Sequence, residues 1–303
     1  MAWAKPDRRL LKKNVHLYIM FLPIIVYYIV FKYAPLGGLI IAFKDYNLYD
    51  GIWSSPWAGL EHFQRLFSNP QTLNIIRNTL VLSVLNIVVG FPFPIIVAIL
   101  LNEVRKRWFL RSVQTLVYLP HFLNWVIVGG IVVTIFALER GIVNKLLGTL
   151  FDYSFPFLYN ELSWITIYVF AGVWKGAGWG AIIYLAALTS IDQHLYEAAN
   201  LDGANKFRQI WHITLPCIRP TIVLLFILNI GNIMEVGFDQ VWVLKNSVVS
   251  NVSEVISTYS YQTGLRGGQF SMATAMGLFE SLVGLLLVVT ANRVARHFGQ
   301  GLW

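Results

Sequence analysis

The chain has 303 residues, 56% of them hydrophobic and only 13% charged, with a formal net charge of +8. Soluble domains carry about 25% charged residues, so this composition, with several apolar runs longer than about 18 residues, belongs in a bilayer. The basic excess is then read first as membrane orientation rather than nucleic-acid binding, and the single cysteine, Cys217, excludes an internal disulfide.

The first expected span is residues 15–33. Arg8, Arg9, Lys12 and Lys13 precede it, but its apolar run exceeds that of a signal peptide and no small-residue cleavage site follows, so it is expected to be retained. The connection 34–77 contains GLEHFQRLF at residues 59–67, either a short helix lying in the interface or a packed lid over helix ends. The second span, 78–102, carries Pro92 and Pro94, and the third, 112–138, carries Pro120; these prolines predict kinks rather than breaks. The connection 139–163 leads to the fourth span, 164–189. A patterned loop at 192–216 separates it from the fifth, 218–243, and the connection 244–271, which holds the sequon Asn251-Val252-Ser253, leads to the sixth, 272–292. With no linker, low-complexity segment or internal repeat, residues 1–303 read as one all-α integral membrane domain of six transmembrane helices.

Orientation follows from Lys and Arg. Lys5, Arg8, Arg9, Lys12, Lys13, Arg105, Lys106, Arg107, Arg111, Lys206, Arg208, Arg219, Arg293 and Arg296 fall on one side. Lys32, Lys44, Arg65, Arg77, Arg140, Lys145, Lys245 and Arg266 fall on the other. The richer side is packed into short loops and tails, which makes it cytoplasmic and puts both termini and loop 192–216 inside.

That loop reads as an object of its own. Leu195, Ala198, Ala199 and Ala204 form one apolar stripe; Phe207, Ile210, Trp211 and Ile213 form a second. Asp192 is placed to cap a first short helix, Asn200 and Gly203 to end it, Asn205 to cap a second, and Leu215-Pro216 to close that one before the fifth span. Two short helices at an angle are expected, joined by a glycine that tolerates positive φ. Their apolar faces suit either lipid headgroups or a soluble partner.

The segment EAANLDGANKFRQIWHITLP, with Glu197, Ala198, Ala199, Gly203, Ile213, Leu215 and Pro216 in register, resembles the EAA loop of ABC importer permeases. GLEHF, NTL at 78–80, YLPHF at 118–122, GWGAIIYLAAL at 178–188 and GQFSMATAMGLF at 268–279 extend the likeness to the sugar-permease branch, which is similar to the maltose and glycerol-phosphate permeases, and most of all to the group handling oligosaccharides and polysaccharides. The resemblance implies a type I permease fold in a bacterial inner membrane, paired with a second and different permease. It also implies two cytoplasmic ATPase subunits that bind ATP and magnesium, an extracytoplasmic solute-binding protein and a carbohydrate substrate. This chain itself would hold no cofactor and do no catalysis. The loop would transmit the ATPase movement into the spans, with Glu197 bonding the ATPase or capping the loop, Gly203 setting the angle, and Phe207 among the contact residues.

Lys175, Glu235 and Glu280 fall within spans, where each would cost about 2.5–3.5 kcal/mol facing lipid, so they must face protein or water. Asn229, Asn232, Glu235 and Asp239 recur at intervals of three, three and four, on one face of the expected fifth helix. Such a stripe serves either helix contacts, with Lys175 pairing with Glu235 or Glu280, or a sugar pathway for which Trp174, Trp179 and Tyr184 supply ring faces. A Lys175 ammonium in the pathway would suit an acidic saccharide.

Two other classes remain to be weighed. An ion-coupled secondary transporter would use Lys175, Glu235 and Glu280 as a relay, but it would leave the loop unexplained and commonly brings internal repeats. An intramembrane enzyme would need a nucleophile–base pair or a metal cluster. His121 has no evident partner, and Walker A, HExxH and CxxC patterns are all absent from the sequence.

Overall fold

A computed structural model describes residues 14–234 and 236–297. Glu235 and the basic residues Lys5, Arg8, Arg9, Lys12 and Lys13 lie outside the described residues. What is described is helical, apart from one isolated bridge between Lys44 and Trp57. Five helices are long and apolar enough to cross a membrane, and a sharply bent pair makes a sixth crossing if counted as one.

The first rod, α1 (Val15–Phe43), runs past the expected 15–33 because a π-helical turn at Ile29–Tyr33 and a 3-10 stretch at Ala34–Phe43 continue it. Most of its side chains are exposed, as an apolar helix bounded by lipid or by another subunit requires. Short helices α2 (Gly51–Ser54) and α3 (Glu61–Ser68) follow. His62 and Leu66 of α3 are buried, and Phe67 meets Phe279 edge-on at 5.3 Å, so GLEHFQRLF is a packed lid.

The second crossing, α4 (Pro70–Asn102), starts on an Asn69 cap and is continuous through its prolines. A π turn at Asn86–Gly90 absorbs the register change before Pro92, in keeping with a distortion rather than a break.

The third crossing departs from expectation. It consists of α5 (Arg107–Phe122) and α6 (Trp125–Phe136), bent by 106° at residues 123–124. Pro120 alone would kink a helix. Here the last turn tightens to 3-10, Leu123 adopts an extended conformation, and Asn124 caps a new helix by accepting from Ile127 N at 2.9 Å.

After α7 (Ile142–Phe151), α8 (Glu161–Thr189) is the long central helix, 29 residues capped by Asn160. Trp164 and Tyr168 are fully buried on it and stack at 5.4 Å, and Trp164 Nε1 donates to the Leu244 carbonyl at 2.9 Å. At its other end Ala181, Tyr184, Leu188 and Ile191 form a separate buried cluster with Ala98 and Ile218.

Next come α9 (Gln193–Leu201) and α10 (Lys206–Gly231). The second arm of the loop was expected to stop at Leu215-Pro216. Instead it passes through a π turn at Ile210–Thr214 directly into the fifth span; the widened coil, with Leu215 N donating to Ile210 O, accommodates Pro216 within a continuous helix.

The fifth span itself is discontinuous. The helix ends at Gly231, turn-like backbone covers Asn232–Met234, and a short helix, α11 (Phe238–Leu244), resumes after Gly237. A single helical stripe through Asn229, Asn232 and Asp239 therefore does not exist. Irregular backbone at membrane depth is tolerated only where protein buries it or it lines a cavity.

The chain closes with α12 (Ser250–Ser253), α13 (Ile256–Ser260) continued by a π turn at Tyr261–Arg266, and α14 (Phe270–His297). Residues of the quoted motifs clasp these closing segments. Asn78 Nδ2 donates to the carbonyls of Asn251 and Glu254 at 2.7 and 3.1 Å, and Thr79 Oγ1 accepts from Ile256 N at 3.0 Å. Ser271 Oγ donates to the Lys44 carbonyl at 2.6 Å, and His62 Nε2 lies 3.0 Å from the same oxygen.

Candidate coupling loop and translocation pathway

Loop 192–216 folds by its own local chemistry. Asp192 accepts from His194 N at 3.0 Å to start α9, and Asn205 accepts from Arg208 N at 2.9 Å to start α10. Between them Gly203 takes φ +75°, with no heavy atom within 4 Å of where a Cβ would sit. The turn is closed by Gly203 N donating to Asn200 O and Ala204 N donating to Ala199 O, at 3.1 and 2.9 Å.

Cross-links then fix the angle between the arms. Gln209, almost fully buried, donates from Nε2 to Asn200 Oδ1 at 2.6 Å, and the Tyr196 and Thr214 hydroxyls lie 2.9 Å apart. Lys206 pairs with Glu103 at 3.0 Å, which ties the loop to the end of α4.

The predicted motif positions divide into two groups. Ile213 and Leu215 are half-buried against the Ala98–Tyr184–Ile218 cluster, and Ala199 is half-buried in its turn. Glu197, Ala198, Gly203, Phe207 and Pro216 are exposed. Glu197 lies 3.3 Å from His194 Nδ1, with both side chains largely in solvent. Leu201, Phe207 and Trp211 are 91%, 69% and 57% exposed, an apolar surface held by a rigid polar frame. Sequence reasoning missed Gln209; a glutamine beside apolar Ile210 and Trp211 was the available signal.

The predicted pathway residues do not converge on one place. Tyr184 and Asn229 share a cavity of about 400 Å³ with Asn86, Trp125 and Gln240, three residues that the sequence did not single out. Gly172, Gly176 and Gly180 line it from α8, at the helical spacing that clears one face. Gln240 Nε2 donates to the Tyr168 carbonyl at 2.6 Å, and Asn229 Nδ2 donates to the Leu225 carbonyl at 2.9 Å.

Lys175 and Trp179 serve the bend in the third crossing. Lys175 Nζ donates to the His121 carbonyl at 2.7 Å and stands 5.6 Å from the Trp125 ring centroid, while Trp179 stacks on the His121 imidazole at 4.5 Å and 2°. Among the described residues, Glu280 included, Lys175 makes no ion pair; Glu235, the other partner expected for it, lies outside the described residues. Trp174 lies apart, against an apolar groove with Phe136 and Phe170. Asn232 and Asp239 are exposed on either side of the break, Glu280 is half-buried on α14, and Glu235 is outside the described residues. No group of three or more potential metal ligands occurs among the described residues.

Residues 90–303 match the family model of the binding-protein-dependent transport system inner membrane component. The chain belongs to that family. This transport component is 47% identical over 296 residues to the polygalacturonan/rhamnogalacturonan transport system permease protein YteP of Bacillus subtilis (strain 168), an alignment covering 97% of this chain and 92% of the relative. It is 44% identical over 291 residues to protein LplB of the same organism, covering 96% and 91%. It also superposes with a TM-score of 0.89 and 41% identity on a chain from a bacterial ABC transporter involved in the import of the acidic polysaccharide alginate, covering 95% of this chain and 98% of that one. A methionine ABC transporter, MetNI, at 15% identity and a TM-score of 0.51 over 78% of this chain and 98% of that one, shares the fold alone. As a component of this family the chain is an inner-membrane transport permease, and the fold and the EAA-like loop have their context.

Proposed function

We propose that this permease forms one half of the translocation pathway of an ATP-driven importer for oligosaccharides derived from an acidic polysaccharide. The observation that carries the reading is similarity over nearly the whole chain, at 47% and 41% identity, to a polygalacturonan/rhamnogalacturonan permease and to a chain of the alginate importer. The other half is a second, different permease. Two cytoplasmic ATPase subunits bind ATP and magnesium and do the hydrolysis, and an extracytoplasmic binding protein delivers the sugar; the alginate transporter is seen in complex with an alginate pentasaccharide-bound periplasmic protein. The chain crosses the bacterial inner membrane six times with both termini inside, the bent α5–α6 pair serving as one crossing.

Loop 192–216 is the coupling element. Its exposed Leu201, Phe207 and Trp211 enter a cleft on the ATPase, with Glu197 at the rim, while Ile213, Leu215 and the continuous α10 carry the displacement into the membrane. Continuity of α10 supports this role, because a helix transmits force along its axis whereas a flexible joint absorbs it. The cavity between α4, α8 and α10, with Tyr184, Asn229, Asn86 and Gln240, belongs to the sugar pathway, and Asn232, Asp239 and Glu280 lie along its continuation. An ion relay through Lys175 gains no support, since its ammonium ends on a backbone carbonyl.

The test is uptake of a galacturonate tetramer into proteoliposomes holding the whole importer. The reading predicts uptake that requires both ATP on the loop side and the binding protein outside. Uptake driven by an ion gradient without ATP, or none at all, would contradict it.

A further inference from the structure

The short helix after the break in the fifth span divides its side chains among three surroundings. Gln240, Val241 and Leu244 are buried toward α8, and Val243 fills the space beside Gly129 of α6. Phe238, Trp242 and Lys245 are left on a third face, at the spacing that aligns them along a helix. There the Phe238 and Trp242 rings stack at 5.3 Å and 16°, and Tyr261 closes on both, edge-on, at 5.3 and 5.1 Å.

Two cations stand over this aromatic group, and they differ in kind. Lys245 Nζ is 4.5 Å from the Trp242 centroid and 3.3 Å from Glu254 Oε2, with both side chains largely buried, so its charge is already balanced. The Arg266 guanidinium is 5.8 Å from the centroids of both Trp242 and Tyr261. Arg266 is exposed and makes no ion pair among the described residues, and Asp239, the acid on the same short helix, is not bonded to it. The backbone beneath it is fixed: Gly267 N donates to Gln262 O at 2.8 Å and Gly268 N to Gly264 O at 3.0 Å, ending the helical turn that carries it.

We infer that Arg266, Trp242 and Tyr261 form a subsite for a uronic-acid unit of the transported saccharide, on the outer side of the pathway beside the break. The inference rests on the acidic-saccharide importer reading above. A planar guanidinium presents two parallel N–H donors that match a carboxylate. Aromatic faces accept the apolar C–H side of a pyranose ring, and stacking holds the guanidinium in place, so little further side-chain freedom is lost on binding. Lys245 paired with Glu254 is structural support for Trp242, and Arg266 is the residue that selects charge. That assignment places acid recognition on Arg266 and removes it from Lys175.

The experiment is equilibrium binding of a labelled galacturonate tetramer to the purified importer without binding protein, with its carboxyl-reduced, neutral counterpart as competitor. ATP-dependent uptake of the same tetramer is measured in proteoliposomes. Arg266→Gln is expected to weaken binding of the acidic tetramer about tenfold, the size of one charge-assisted contact at an exposed site. Affinity for the neutral tetramer should be unchanged, and Arg266→Lys should fall in between. Trp242→Leu should weaken both tetramers. Equal loss on acidic and neutral tetramers with Arg266→Gln, no loss on either, or no binding by the wild type would overturn the subsite. Wild-type importer that takes up no acidic tetramer under ATP would overturn the transport reading itself, and the subsite with it.

Discussion

Gln209 Nε2 donates to Asn200 Oδ1 at 2.6 Å and to the Ala204 carbonyl at 3.1 Å, joining the two arms of loop 192–216 across the turn at Gly203. The amide is buried, so an apolar residue in place of Asn200 leaves one of its two N–H groups without an acceptor while the bond to Ala204 persists. Asn200→Leu should therefore cost about 1–3 kcal/mol locally and loosen the angle between α9 and α10. The expected phenotype is a complex that still assembles but hydrolyses more ATP per sugar imported. Paired ATPase and uptake rates measure it, and an unchanged ratio would argue that the angle is set elsewhere.

Gly203 makes the second prediction. Its φ of +75° lies where a Cβ is strained, while the space around it is empty. Gly203→Ala should cost about 1–2 kcal/mol through backbone strain alone, and Gly203→Asn should cost less, since asparagine tolerates the left-handed region. Coupled transport should follow the order Gly, Asn, Ala. The reverse order for Asn and Ala would point to a steric role.

Lys175 bears on the bend in the third crossing. Its ammonium bonds the His121 carbonyl, one turn from the break at residues 123–124, where Trp179 also stacks on the His121 ring. Lys175→Met should lower uptake of acidic and carboxyl-reduced tetramers by the same factor, because it loosens the bend. Selective loss of the acidic substrate would instead return Lys175 to the sugar-binding surface.

Close packing of α8 against α5 gives a fourth prediction. A Cβ on Gly178 would collide with the Val117 backbone carbonyl. Backbone gives way far less readily than a side chain, so Gly178→Val should overpack the contact by about 1–3 kcal/mol. The level of folded chain in the membrane should fall. Gly176→Val, with nothing within 4 Å of its Cβ position, should keep that level while narrowing the cavity, and an equal fall for both would contradict this packing.

The pattern of spans was legible where apolar length alone decides, as in α4, α8 and α14. It failed where a polar residue does two jobs. In the third span only Pro120 drew attention, but it is the Asn124 side chain that caps a new helix, and the 106° bend follows. Asn229, Asn232, Glu235 and Asp239 matched a helical period, yet Gly231, Asn232 and Gly237 together end one helix and permit the next.

The loop is legible in the sequence because its caps and its glycine act locally: Asp192, Asn205 and Gly203 each do what their chemistry dictates within a few residues. The bonds of Gln209 to Asn200 and of Lys175 to His121 depend on partners brought together by the fold, 9 and 54 residues apart, and no local pattern announces them. The ring and cation group at Phe238, Trp242, Tyr261 and Arg266 is of the same kind. Its members come from the short helix α11 and from the π turn at Tyr261–Arg266, further along the chain.

The coupling claim is tested most directly by capturing the tagged chain from its native membrane in mild detergent and identifying every protein that comes with it. Phe207 is 69% exposed, so Phe207→Ala leaves the fold of this chain intact. The account predicts that wild type brings down a second permease and a Walker-motif ATPase, and that Phe207→Ala keeps the permease while losing most of the ATPase. Full retention of the ATPase by Phe207→Ala together with Trp211→Ala, or capture of the chain alone, would contradict it.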